Sequence, residues 1–355
     1  MPTRPQIFLY FLKLGATGFG GPLALIALME RDLVKTKKWI SPTEFKDALL
    51  YCKLLPGPVA YQMALWMGRV VGGKLGGFLA GMGILLPSAI LLTVLANFYS
   101  QLETVPLWSA LMKGLTLAAL AIILESSYRL IRPLLKDRFS TIFFFLAFVL
   151  FFLFPRWEPV IILVGGFAAL FTSKAQSSSL KVLSFPILWK LFWTHFKAGS
   201  VVFGAGFAIL PVLERDIVGA EHWLTTREFL DAVAFGQMTP GPITITSVFV
   251  GTRVAGPLGG FAAFLGMYLP GILLVLWLVP LLKERLEKNL LQFQKGAFPM
   301  VMGCLAGGAV FFLRTTLVPD LSAVVFVGLL ALQFFLKPPS IGLLLLGAIF
   351  GLVIS

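Results

Sequence analysis

"KLGATGFGGPLALIALMERDLV", Lys13 to Val34, recurs 184 residues later as "KAGSVVFGAGFAILPVLERDIV", Lys197 to Val218. The register continues for some forty residues. Trp39 meets Trp223, Glu44-Phe45 meets Glu228-Phe229, Asp47-Ala48 meets Asp231-Ala232, and "KLLPGPVAYQ" from Lys53 lies over "QMTPGPITIT" from Gln237. Arg69 meets Arg253, and after a one-residue deletion Pro87 meets Pro270. The chain is therefore two copies of one unit. The first repeat is placed at 1–175, a polar linker and the start of the second repeat at 176–192, with the polar stretch "TSKAQSSSLK", 172–181, across the join, and the rest of the second repeat at 193–355.

The material between these motifs is strongly apolar. Of 355 residues, 58% are hydrophobic and 13% charged, against about 45–50% and about 25% in an average soluble domain; mean hydropathy is +0.92. Apolar runs such as Phe78 to Ala96, Leu107 to Leu124, Phe261 to Leu282 and Ala297 to Leu313 approach the ~20 residues that cross ~30 Å of hydrocarbon. These features predict an all-α polytopic membrane protein. The first run, near Ile7, lacks a cleavage-like site and reads as retained. Cys52 and Cys304 are isolated, so neither a disulfide framework nor a metal or other cofactor is expected. The net charge of +13 sits mostly between apolar runs, where Lys and Arg set orientation in a bilayer, so a nucleic-acid partner is not expected.

That charge differs between the copies. The segment after the first opening run holds Arg31, Lys35, Lys37 and Lys38, while its counterpart holds Arg215 alone. Further on, 99–106 has no Lys or Arg, while the matching segment has Lys283, Arg285 and Lys288. The bias predicts inverted-topology repeats. About ten full spans are expected, plus re-entrant pairs of half-helices, and the glycine-divided opening segments are themselves candidates for such pairs.

Two breaks recur at matching places: Gly18 to Pro22, containing Gly20 and Gly21, with Phe203 to Gly206, containing Gly204; and Pro56-Gly57-Pro58 with Pro240-Gly241-Pro242. Paired interruptions point to a binding site in transporters, and small residues alone also serve helix packing. Each break opens a helix, whose free N–H groups favour an anion. Four such starts would surround one oxyanion. Further candidates to contact it are Lys13, Lys197, Lys53, Gln62, Arg69, Gln237, Thr239 and Arg253, with snorkelling or helix-end roles as the alternatives. Lys53 stands out because its mate is Gln237. Glu30, Glu44, Asp47, Glu214, Glu228 and Asp231 are candidates for coupling to a driving ion, against a favoured reading as solvated interfacial charge or, for Glu30 and Glu214, a local ion-pair cluster at the water boundary.

The motifs "FLKLGATGFGGP", "ERDLV", "LPGPVAYQ" and "LLPSA", with "FGQMTPGP" and "YLPG" in the second half, resemble the chromate ion transporter family, long two-repeat form, over nearly the whole chain. The resemblance implies a plasma-membrane carrier of bacterial or archaeal type that exports chromate, a sulfate-like dianion, and confers chromate resistance; a homodimer is compatible with it. The family pattern has Gln where this chain has Lys53, and a His-containing stretch in place of Leu23 to Ala27, so sulfate or another oxyanion stays open as cargo. A passive anion channel is a rival. An enzyme acting on lipid phosphates is another, disfavoured because His195 and His222 lie in one half only, with no paired nucleophile and base. "GRVVGGKL", 68–75, mimics a phosphate loop but has Leu75 where Ser or Thr would hold magnesium.

Overall fold

The computed structural model describes residues 2–19, 21–154, 160–162, 164–166, 187–201, 206–207, 209–317 and 320–353; the side chains of Leu23 and 280–291 lie outside this description. Gly20, Gly204 and the 172–181 linker fall outside it too.

The described residues form helices without strands. In the first repeat these are α1 (Arg4–Thr17), α2 (Gly21–Met29), α3 (Pro42–Leu54), α4 (Val59–Leu102), α5 (Pro106–Ile131) and α6 (Arg138–Leu153). The second contributes α7 (Ile187–Val201), α8 (Ile209–Glu214), α9 (Thr226–Met238), α10 (Thr246–Leu273), α11 (Val279–Thr316), α12 (Leu321–Phe335) and α13 (Ser340–Val353). Among the described residues four helical stretches are long and apolar enough to cross a membrane, Val59–Leu102, Pro106–Lys136, Ile243–Leu278 and Gln292–Thr316, against about ten spans expected of the whole chain; 138–153, 321–335 and 340–353 are shorter apolar helices.

Both opening segments fold back on themselves. A π-helical stretch, Glu30–Thr36, follows α2 and brings Asp32 to the Tyr10 hydroxyl (3.5 Å) and Lys37 over the Tyr10 and Trp39 rings. In the second copy the return is tied by Lys197–Asp216 and Lys190–Glu221, both 3.1 Å. The next unit is likewise a hairpin. α3, capped by the Ser41 hydroxyl on the Glu44 N–H, runs in to the Pro56 break, and leg 59–71 runs out, stacking Trp66 on Tyr51 and donating its indole N–H to Glu44 (3.0 Å).

A third matched break was not anticipated. Helical geometry fails at Gly72-Gly73 in α4 and at Ala255-Gly256 in α10, with φ of +67° and +64° at the second residue of each pair. Only glycine adopts that conformation without strain, and the chain reverses there. Small residues line each reversed pair of legs: a Cβ on Gly68 would sit 2.5 Å from the Gly76 carbonyl oxygen, and one on Gly251 2.3 Å from that of Gly259.

The two hairpins interlock. Leg 74–102 lies alongside leg 246–254, with Ser88 at Pro240, the Tyr99 and Phe249 rings 5.5 Å apart, and Ser100 bonded to Arg253. Reciprocally, leg 257–278 lies alongside 59–71, with Tyr268 4.8 Å from Tyr61, Gly271 against Gln62, and Trp277 under Lys74. α5 parallels α9, since Ser109 meets Arg227, Thr116 meets Asp231 and Ala119 meets Gln237. α12 parallels α5, with Lys113 facing Asp320 near one end and Tyr128 against Phe334 near the other. These registers define a basic end, with Lys74, Arg129 and Lys337, and a far end, with Tyr99, Ser109, Arg227 and Arg253.

Candidate functional site

Helix breaks from both copies meet in the interior. The Gly241 N–H reaches the Gly18 carbonyl (3.3 Å), and the Ser88 hydroxyl donates to the Pro240 carbonyl. Gly57 and Gly241 hold φ of +129° and +113°, the region open to glycine, which is why each Pro-Gly-Pro turns rather than kinks. A chamber of about 40 Å³ lies at this junction, lined by Gly21 and Pro22, by Gln237, Thr239 and Gly241, and by Ser340-Ile341. α2 begins at Gly21, a 3₁₀ turn begins at Ile243, and α13 begins at Ser340. Three helical N-termini therefore meet there. The first intrahelical bond of α13 is Leu343 N–H to the Pro339 carbonyl, so the N–H groups of 340–342 precede the ladder.

Gly21, Pro22 and Ser340 also line a vestibule of about 540 Å³ that opens toward the basic end. Its charged lining is Lys53, Arg129 and Lys337 against Glu125, three cations to one carboxylate. Glu125 is 4% exposed and stands 3.6 Å from Arg129. The Lys53 backbone carbonyl accepts from Gln294 (2.8 Å). Gln237 Oε1, in the chamber lining, and Gln333 Oε1, in the vestibule lining, lack hydrogen-bond partners among the described residues.

A separate cavity of about 310 Å³ lies at the far end, between the beginnings of α5, α9 and α12, with Asp231 in its lining. Along α5 the two large cavities are separated by the stretch from Leu117, in the far cavity, to Ile122, in the vestibule, about 7.5 Å of helix.

The predicted residues divide accordingly. Gly21, Pro22 and Lys53 line the vestibule, and Gln237, Thr239 and Gly241 the chamber. Pro56, Gly57 and Pro58 line neither, although Val59 reaches the vestibule. Gln62, fully buried, closes its own break by donating to the Pro56 carbonyl (2.6 Å). Gly206 (φ +80°) packs near Ile243 and Thr244, and Pro242 caps the 3₁₀ turn. Arg253 binds Glu228 (2.8 Å) and Ser100 (2.8 Å) at the far end, and Arg69 faces Glu44 at the matching hairpin mouth. Lys197 is bonded to Asp216, while Lys13 and Glu30 are exposed and Asp47 half-buried. Glu214 is 5% exposed and Asp231 2%. Sequence reasoning missed Ser88, Glu125, Arg129, Lys337 and Ser340. The carboxylate of Glu125, directly after the run to Leu124, was the available signal, because an ionisable group in a span is costly.

Paired broken helices, spanning helices and a cationic vestibule define a helical membrane protein with an internal repeat. The chain matches the chromate transporter family model over residues 5–171 and 189–352, and it belongs to that family. It is 31% identical to the chromate transport protein of Cupriavidus metallidurans, over 99% of this chain and 93% of that one. It is 32% identical to the probable chromate transport protein of Synechococcus elongatus, over 88% and 85%. At 25% identity it resembles an uncharacterized transporter of Methanocaldococcus jannaschii, over 79% and 77%. No solved structure matches.

Proposed function

We infer that the protein carries chromate, or a sulfate-like dianion, out of a prokaryotic cell across the plasma membrane by alternating access, and so confers resistance. The observation that carries this reading is the meeting of helix starts at Gly21, Ile243 and Ser340 in one chamber off the cationic vestibule. Unpaired N–H groups and aligned peptide dipoles favour an anion there. The chamber holds only a few waters, so an oxyanion occupies it by widening it into the vestibule.

Alternation is supported by the two cavities at opposite ends of α5, since a thin barrier between them needs only modest rearrangement to change sides. An inverted repeat is supported by the interlocked hairpins: each first leg runs beside the other copy's second leg, and this makes equivalent legs antiparallel. Lys and Arg at the basic end favour the cytoplasm for the vestibule. Loading there and leaving outward, a dianion gains ~4.6 kcal/mol per 100 mV, interior negative.

The test is flux of labelled chromate and sulfate in proteoliposomes under a set potential. Saturable flux that follows the potential is expected; no saturable oxyanion flux under any gradient overturns the reading, and single-channel steps would replace the carrier with a channel.

A further inference from the structure

We propose that Asp231 is a proton-binding site whose protonation is thermodynamically linked to oxyanion binding in the chamber. The proposal rests on the oxyanion reading above. Asp231 is 2% exposed, accepts from the Tyr99 hydroxyl (2.5 Å) and from Thr116 (3.0 Å), and lines the far-end cavity. Among the described residues no cation stands within ion-pair distance of it, whereas Glu125 has Arg129 and Glu228 has Arg253. A buried carboxylate without a cation is costly in its charged form, and the cavity of about 310 Å³ gives water, hence a proton, a route to it.

The surrounding charges come from several helices. On its own helix are Arg227 and Glu228; α4 adds Tyr99, and Glu103 follows α4 directly. Arg253 lies 5.0 Å over the Tyr99 ring but is bonded to Glu228. From α5 comes Lys113, which faces Asp320 ahead of α12.

Placement sets the sign. Asp231 is five residues before Gly236, which lines the anion chamber, or about 7.5 Å along one helix. Ionised, it opposes a dianion there; protonated, it does not. Anion binding therefore favours protonation, and by reciprocity protonation favours the anion. The proton arrives from solvent at the far end, and affinity rises as pH falls. Its repeat mate Asp47 is half-buried, lines no described cavity, and carries no such role.

The test is labelled-chromate binding to the purified full-length protein between pH 6 and pH 8.5, with Asp231→Asn and Tyr99→Phe beside wild type. Chromate's own titration is common to all three, so the readout is the ratio of variant to wild-type affinity. Asp231→Asn, which mimics the protonated state, is expected to bind at least tenfold tighter than wild type at pH 8.5 and equally at pH 6. Tyr99→Phe removes a donor from the carboxylate, and its pH midpoint is expected to move upward with the pH response retained. A ratio constant with pH for Asp231→Asn, or an unmoved midpoint for Tyr99→Phe if the first variant does not fold, overturns this inference alone. Absence of chromate binding by wild type at every pH overturns the oxyanion reading and this inference with it.

Discussion

Arg253 was a candidate anion ligand by its sequence position, and its surroundings give it another task. Its guanidinium meets Glu228 at 2.8 Å, with both side chains 18% exposed, and Ser100 of the other repeat at 2.8 Å. It thus clamps the mouth of the α9 hairpin to leg 74–102, away from the chamber. Hydrogen bonds to charged groups contribute roughly 1.5–3 kcal/mol when largely desolvated, and removing one partner leaves the other charge unpaired. We expect Arg253→Ala to destabilise the protein by about 1.5–3 kcal/mol, with a coupling of ~1 kcal/mol or more in a double-mutant cycle with Glu228→Gln. Arg69→Ala at the matching mouth, where Arg69 is electrostatically coupled to Glu44, should cost under ~1 kcal/mol. Denaturant titration in detergent supplies the free energies, and proteoliposome flux supplies KM. The chromate KM of folded Arg253→Ala should stay within about twofold of wild type, since an interaction absent from the bound complex leaves KM unmoved. A rise in KM of about tenfold with unchanged stability would refute the clamp and restore Arg253 as a substrate ligand.

Other outcomes follow from the same geometry. Lys53→Gln removes one of three vestibule cations and should raise the chromate KM several-fold, with the loss growing at low ionic strength because screening is then weakest; an unchanged KM would place Lys53 outside the substrate's path. At Gly114 a Cβ would lie 1.8 Å from the Gly347 carbonyl oxygen, while at Gly342 it meets nothing within 4 Å. Gly114→Leu should therefore part α5 from α13 and abolish folded yield, as read by size-exclusion chromatography, and Gly342→Ala should not. Cysteines placed at Lys38 and Thr225, in a background lacking the buried Cys52 and Cys304, should react with an impermeant reagent from opposite sides of the membrane; labelling from the same side would end the inverted-repeat reading.

Much of this architecture was legible because its signals are local and duplicated. Pro-Gly-Pro at 56–58 and 240–242 announces a helix break by the chemistry of those residues alone, and its recurrence turns a tolerated irregularity into a designed one. The reversal at Gly72-Gly73 was less legible, because two glycines inside an apolar run read equally well as helix packing. The division of labour among charges was not legible either. Lys53 lies just before one Pro-Gly-Pro and Arg253 ends the leg after the other, yet one opens onto the vestibule and the other is consumed by Glu228. Arg129 and Lys337 each follow an apolar run in the sequence, and folding brings them to the cavity wall.

By itself, then, the sequence determined the class of molecule, the duplication, the places where helices stop and the excess of positive charge, since each depends on residue type and spacing along the chain. Only the tertiary structure decided which helix starts share a chamber, with Ser340 of the last helix joining Gly21 and Ile243 while Pro56 to Pro58 turn aside. It also decided that Asp231 is buried against two hydroxyls where Asp47 is half-buried. The physical reason is that repeat-equivalent residues acquire different neighbours once the two hairpins interlock, and burial, ion pairing and cavity lining are properties of those neighbours.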